Sequence, residues 1–299
     1  MKHPKNISLI TILFFLLSQL FGMFLLLNSF DVKVIEGKTM PVYKETAIGE
    51  RPRITGFQTI GYIVVAILLG TSVLLVIIRY SLSLLWKLMY ITAIFFSSLI
   101  SLNSILPLLF SIFIAIIFCI FKYKKGYHIL NNFIDMFVFS GIAIIFAPLM
   151  DSLHALLLLF LISFYDIIAV NKTKHMVKLA EFQLSSGMFA GLKLPYRSIK
   201  GKGKIELKNK GKVSSAIIGG GDVVFPLIFT ATIMNKLILS GMNKSLAFIF
   251  SLPVPVLNSL MLSLLLYISK KNRYYPAMPF LATACLLSYL IIHILLLLF

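Results

Sequence analysis

The sequence predicts an all-α polytopic membrane protein of about nine transmembrane helices, with its N-terminus cytoplasmic and its C-terminus outside. Three observations lead there. Of 299 residues, 59% are hydrophobic and only 13% charged, about half the charged share of a soluble domain. Apolar stretches close to the length of a spanning helix, about 20 residues, recur along the whole chain. The excess of cations, a formal net charge of +18, gathers on alternate connecting segments. Helices satisfy their own backbone hydrogen bonds in lipid, so a single helical membrane domain follows. Within it, 1–170 holds helices one to six, 171–212 a basic cytoplasmic loop, and 213–299 helices seven to nine.

The first apolar segment, 7–29, follows Lys2 and Lys5. It is longer than the core of a signal peptide and lacks a small-x-small cleavage site, so it reads as a spanning helix. The second is 56–78. The third and fourth fill 88–121 between them, which as one helix would run about 50 Å, too long for a hydrocarbon core of about 30 Å. Two helices turning at Asn103 and Ser104, with Pro107 opening the second, resolve this. The remaining segments are 129–149, 153–170, 213–234, 246–268 and 276–299.

With the N-terminus inside, the inner segments carry Lys2, Lys5, Arg79, Lys87, Lys122, Lys124, Lys125, the cations of the 171–212 loop, Lys270, Lys271 and Arg273. The outer segments keep the few others, so the positive-inside bias sets the orientation. This charge suits anionic lipid rather than nucleic acid, because no basic stripe is interleaved with exposed aromatics. Cys119 and Cys285 lie in apolar runs, without a CxxC pair or zinc-ligand cluster, and neither metal nor cofactor is expected. In the long loop, Lys174 to Phe189 spaces Met176, Leu179, Phe182 and Leu184 as a helix lying on the membrane surface would. The stretch Ile199 to Lys212 reads as a short hairpin or a flexible tether.

Ten Asp and Glu occur in the chain, and Asp135, Asp151, Asp166 and Asp222 fall within or beside apolar segments. Intramembrane carboxylates are costly and need a structural or functional reason. Asp135 and Asp151 lie near predicted helix N-termini, where capping and the helix dipole favour an anion. Asp166 comes late in helix six, where the dipole disfavours it and no neighbouring cation is spaced to pair with it. Asp222 sits inside predicted helix seven, after Gly219, Gly220 and Gly221. From the shared cytoplasmic face, Asp166 lies about 9 Å deep and Asp222 about 15 Å, at the helical rise. Two carboxyls meeting there hold one proton between them. The ionised one can deprotonate a water attacking a peptide carbonyl while the other hydrogen-bonds the carbonyl oxygen. The glycines permit close approach of a substrate or partner helix. The residues alone do not separate such a protease from a cation channel or transporter using the same aspartates, or from a scaffold with a small-residue packing face.

The local sequences add a resemblance. Phe164-Tyr165-Asp166, Gly219-Gly220-Gly221-Asp222 followed by Val223-Val224-Phe225-Pro226, and Pro276-Ala277-Met278-Pro279 resemble the YD, GxGD and PAL motifs of presenilins, signal peptide peptidases and their archaeal homologues. The order of the three, on helices six, seven and nine, is also the family's. The resemblance covers about 150–299 and implies an intramembrane aspartyl protease. It makes Asp166 and Asp222 the catalytic pair and Tyr165, Gly219 and Gly221 their support. Pro276, Ala277 and Met278 then shape the substrate site, Met278 replacing the family's Leu at similar volume. Prepilin and preflagellin peptidases carry a further Gly three residues before GxGD, where this chain has Ala216, and lack the PAL motif. The cytoplasmic lysine-rich loop sides with presenilins rather than with the inverted signal peptide peptidases. The implied partners are transmembrane-helix protein substrates and the lipid bilayer, without accessory subunits, in an archaeal or other prokaryotic cell membrane. Since a substrate helix must unwind before cleavage, strand-prone Ile205 to Leu207 is expected to pair with it.

Overall fold

Helix α1, Lys5–Asn28, opens the chain and is followed by a hairpin of β1, Phe30–Ile35, and β2, Lys38–Tyr43. The computed structural model describes residues 5–35, 38–47, 49, 56–124, 128–173, 175–197, 213–269 and 274–298. Among them, eight helices are long and apolar enough to cross a membrane. They include α2, Phe57–Arg79; α3, Ser83–Asn103; α5, His128–Phe146; and α6, Ser152–Ile167, which a π turn extends through Lys172. Helix α4, Leu108–Tyr123, is equally apolar but has 16 residues, about 24 Å of rise, so the bilayer must thin or its ends must snorkel. The expected break between α3 and α4 falls at Asn103, and Pro107 stands at the α4 N-cap.

The C-terminal half departs from the expected helix seven at 213–234. Residues Val213–Gly219 form strand β4, antiparallel to β3, Gly191–Arg197, and helix α8 starts only at Gly220, running to Leu239. Val213, Ile217 and Ile218 are β-branched and favour a pleated surface, and a short apolar run does not by itself distinguish buried strand from helix. The helical-rise depth of Asp222 therefore does not apply, since strand residues advance about 3.3 Å each. Helix α9, Lys244–Ser251, and α10, Pro253–Ile268, meet at Leu252, with Pro253 at the start of the second. Helix α11 is Met278–Leu298.

Helix α8 is the most enclosed span and α2 the least; α1, α5, α6, α10 and α11 all pack around α8. Small residues let the backbones close up. A Cβ on Gly141 would lie 1.8 Å from the Ser97 carbonyl oxygen, which sets the α3–α5 contact. The predicted amphipathic segment forms α7, His175–Ser186, but its Leu179 is buried against protein, beside α2 and the π turn. Ile199 to Lys212, including Ile205 to Leu207, lies outside the described residues.

Candidate active site

Asp151 is the α6 N-cap and accepts from the His154 backbone amide and ring Nδ1, both at 2.8 Å. Burial alone would raise its carboxyl, but the His154 hydrogen bonds hold it below the usual carboxylate range. Asp135 has a different reason from the helix-terminus effect expected of it. It is buried against the Lys122 ammonium at 2.5 Å, across the α4–α5 contact. Lys122 is thus an intramembrane partner as well as part of a cationic segment.

Asp166 occupies the last turn of α6 and is 9% exposed. The C-terminal end of one helix disfavours this carboxylate, and the N-terminal end of another compensates. The Met278 amide, opening α11, donates to Asp166 Oδ2 at 3.3 Å, and the Ala277 amide faces the same group. These are orphan donors of a helix start, with the positive end of its dipole behind them. The Pro276-Ala277-Met278 motif therefore reaches Asp166 through its backbone.

Asp222 is the third residue of α8, half-buried, and the Gly219 amide faces its carboxyl, in the manner of an acid at N3 reaching back to the N-cap. A Cβ on Gly219 would stand 3.2 Å from Asp222 Oδ2. Gly220 donates to the Ala190 carbonyl at 3.0 Å, and a Cβ there would sit 3.1 Å from both that oxygen and the Phe139 ring. At Gly221, nothing lies nearer than Phe225 at 3.5 Å.

A cavity of about 370 Å³ brings together Asp166, Asp222, Tyr165, Gly219, Gly221, Ala277 and Met278, and the two carboxyls interact electrostatically. Pro276 does not line it. The Tyr165 hydroxyl meets His175 Nε2 at 2.9 Å and Thr71 Oγ1 at 3.2 Å, tying α6 to α7 and α2. Burial lowers the His175 pKa, so the neutral ring is the favoured partner for that hydroxyl. A larger cavity of about 780 Å³, beside Tyr43, His154 and Lys236, includes neither aspartate.

One contributor has no motif to announce it. Gln19 of α1, fully buried, donates from Nε2 to the Val223 carbonyl at 2.7 Å, gripping the α8 turn that carries Asp222. Pro226 lacks an N–H, which leaves the Asp222 carbonyl without its usual i+4 donor. The only signal for Gln19 in the sequence is a carboxamide in an otherwise apolar span.

The profile of the family described as signal-peptide peptidase, presenilin aspartyl protease matches residues 15–297. Two solved structures of a presenilin family intramembrane aspartate protease, in different crystal forms, are similar to the chain. One is 18% identical, with 95% of this chain and 99% of that one covered, at a TM-score of 0.58. The other is 19% identical, covering 95% and 96%, at 0.54. At these identities the likeness is one of fold. No curated protein matches.

Proposed function

We infer the site's chemistry from one premise: the chain belongs to the signal-peptide peptidase, presenilin aspartyl protease family. It is an intramembrane aspartyl protease, a hydrolase acting on transmembrane substrates within the bilayer, and nothing favours a channel or transporter. Asp166 and Asp222 are its catalytic dyad. The observation that carries this assignment is the shared cavity, with a carboxyl on each of two neighbouring helices and backbone amides directed at both. One proton serves the pair. The ionised carboxyl takes a proton from water as that water attacks the scissile carbonyl, and the protonated one hydrogen-bonds the carbonyl oxygen. The tetrahedral intermediate then collapses as the departing amide nitrogen is protonated. Gly221 leaves one wall open for the substrate, and the side chains of Tyr165, Ala277 and Met278 line the rest.

A substrate helix hides its carbonyls in its own hydrogen bonds and must unwind. The unwound backbone pairs with the outer edge of β4, immediately before Asp222. Among the described residues the sheet holds β3 and β4, and the register opposes Lys193 to Ile217 and Gly191 to Gly219. Both Lys193 backbone groups bond away from β4, so Lys193 and Ile217 form a non-hydrogen-bonded pair. The Ile217 and Gly219 backbones therefore turn outward, and both residues line the cavity.

The cation distribution supports a cytoplasmic 171–212 loop, and the single chain carries the complete site. The test is cleavage of single-span substrates in liposomes by the purified chain alone. Asp166→Asn and Asp222→Asn are each expected to lower turnover by at least about 10²–10⁴-fold. Full cleavage by both variants would exclude the dyad, and a requirement for a second polypeptide would exclude the stand-alone enzyme.

A further inference from the structure

Asn132 lies in the first turns of α5 and is 1% exposed. Its side chain makes two bonds to one residue of β3. Lys193 N donates to Asn132 Oδ1 at 3.0 Å, and Asn132 Nδ2 donates to the Lys193 carbonyl at 3.2 Å. A carboxamide has the donor and acceptor of a peptide unit, and here it occupies the place that a third strand would take. Two residues on, Pro195 has the same outward parity and offers no N–H at all. The outer edge of β3 is thus closed at Lys193 by Asn132 and deprived of a donor at Pro195. Among the described residues no strand lies beyond β4, whose outward Ile217 and Gly219 face the cavity, the Gly219 amide toward the Asp222 carboxyl.

We propose that Asn132 is a positioning residue for proteolysis: by standing in for a strand on β3, it leaves the β4 edge for the substrate and holds that edge in register with Asp222. The inference rests on the β4 pairing given above. Strand pairing is periodic, so a slip of one residue would reverse which substrate side chains face the dyad, and a slip of two would move the scissile bond by about 7 Å. Anchoring β3 to a buried helix residue fixes β4 through the ladder between them. Asn132 touches neither aspartate and acts only through the hairpin.

The experiment compares product masses and steady-state kinetics for one single-span substrate in liposomes. The enzymes are wild type, Asn132→Ala, Lys193→Pro and Ile217→Pro. Lys193→Pro removes the N–H that donates to Asn132 Oδ1, one of the two bonds, and leaves the β3–β4 ladder intact, so it carries the test if Asn132→Ala does not fold. Binding of a transition-state-analogue aspartyl inhibitor identifies folded variants. Asn132→Ala and Lys193→Pro are expected to spread cleavage over neighbouring bonds and raise KM about tenfold with a smaller change in kcat. Ile217→Pro, which removes an outward donor of β4, is expected to abolish cleavage. Wild-type cut sites and KM in folded Asn132→Ala and Lys193→Pro, with Ile217→Pro inactive, would overturn the role of Asn132 and leave β4 pairing standing. Unchanged cleavage by all three would overturn both.

Discussion

At the scale of single residues, the three glycines before Asp222 make different demands. Gly220 is the tightest, because a Cβ would press on a backbone oxygen and an aromatic ring together, both at 3.1 Å. Gly219 is next, facing the carboxylate itself, and Gly221 is open. Alanine substitution should follow that order. Gly220→Ala is expected to lose both folding stability and activity, Gly219→Ala mainly turnover, and Gly221→Ala only substrate affinity. Thermal melts beside kcat and KM check this, and an equal loss at all three would refute it. The GxGD resemblance singles out Gly219 and Gly221, but the crowding of Gly220 depends on Ala190 and Phe139, which sequence spacing does not bring near. Asp166 and Asp222 were legible because ionisable residues in apolar runs are conspicuous. The amides of Ala277 and Met278 were not, since every residue but proline carries one. The buried Lys122–Asp135 pair shows a different limit, because its partners belong to helices that the sequence separates by a charged turn. Removing either partner is expected to cost about 3–5 kcal/mol, and replacing both with apolar residues of similar volume to restore most of it. A double-mutant cycle on unfolding measures this directly.

Among elements, the long helices were readable from apolar length alone, and the α3–α4 break from the bilayer's thickness. The β3–β4 hairpin was not, because Val213 to Gly219 runs straight into an apolar helix, and the glycines at the boundary read as places of close approach rather than as the start of the helix. Helix α6 offers a pH test of its own start. The Asp151 carboxyl is held below its ordinary value by His154. Its contribution is therefore present above the unfolded-state pKa, about 3.9, and is lost as pH falls through the lower folded value. Asp151→Ala should destabilise by about 1 kcal/mol at neutral pH, near the low end for a cap since the side chain is 64% exposed. The difference from wild type should shrink as pH falls below about 3.9 and vanish once pH is below the folded value. A constant difference across that range would show that packing, rather than the cap, is responsible.

For the whole molecule, the orientation depends on whether α4 crosses. Nine crossings put Ser104 and Lys124 on opposite faces, whereas a merely inserted α4 would put them on the same face. Impermeant thiol reagents applied to Ser104→Cys and Lys124→Cys in sealed vesicles, with Cys119 replaced by serine, are expected to label them from opposite sides. Labelling of both from one side would reduce the crossings to eight.

The amide on which Asp166 leans lies 112 residues downstream of it. At about 5–20 residues per second, a ribosome reaches Met278 about 6–20 s after Asp166. Asp222 is made midway through that interval, while the donors opposite Asp166 do not yet exist. A nascent chain therefore lacks the amides that face Asp166, and is expected not to cut its own emerging spans or those of its neighbours. Activity is expected to begin when α11 docks, so the geometry that builds the site also sets the time of its birth.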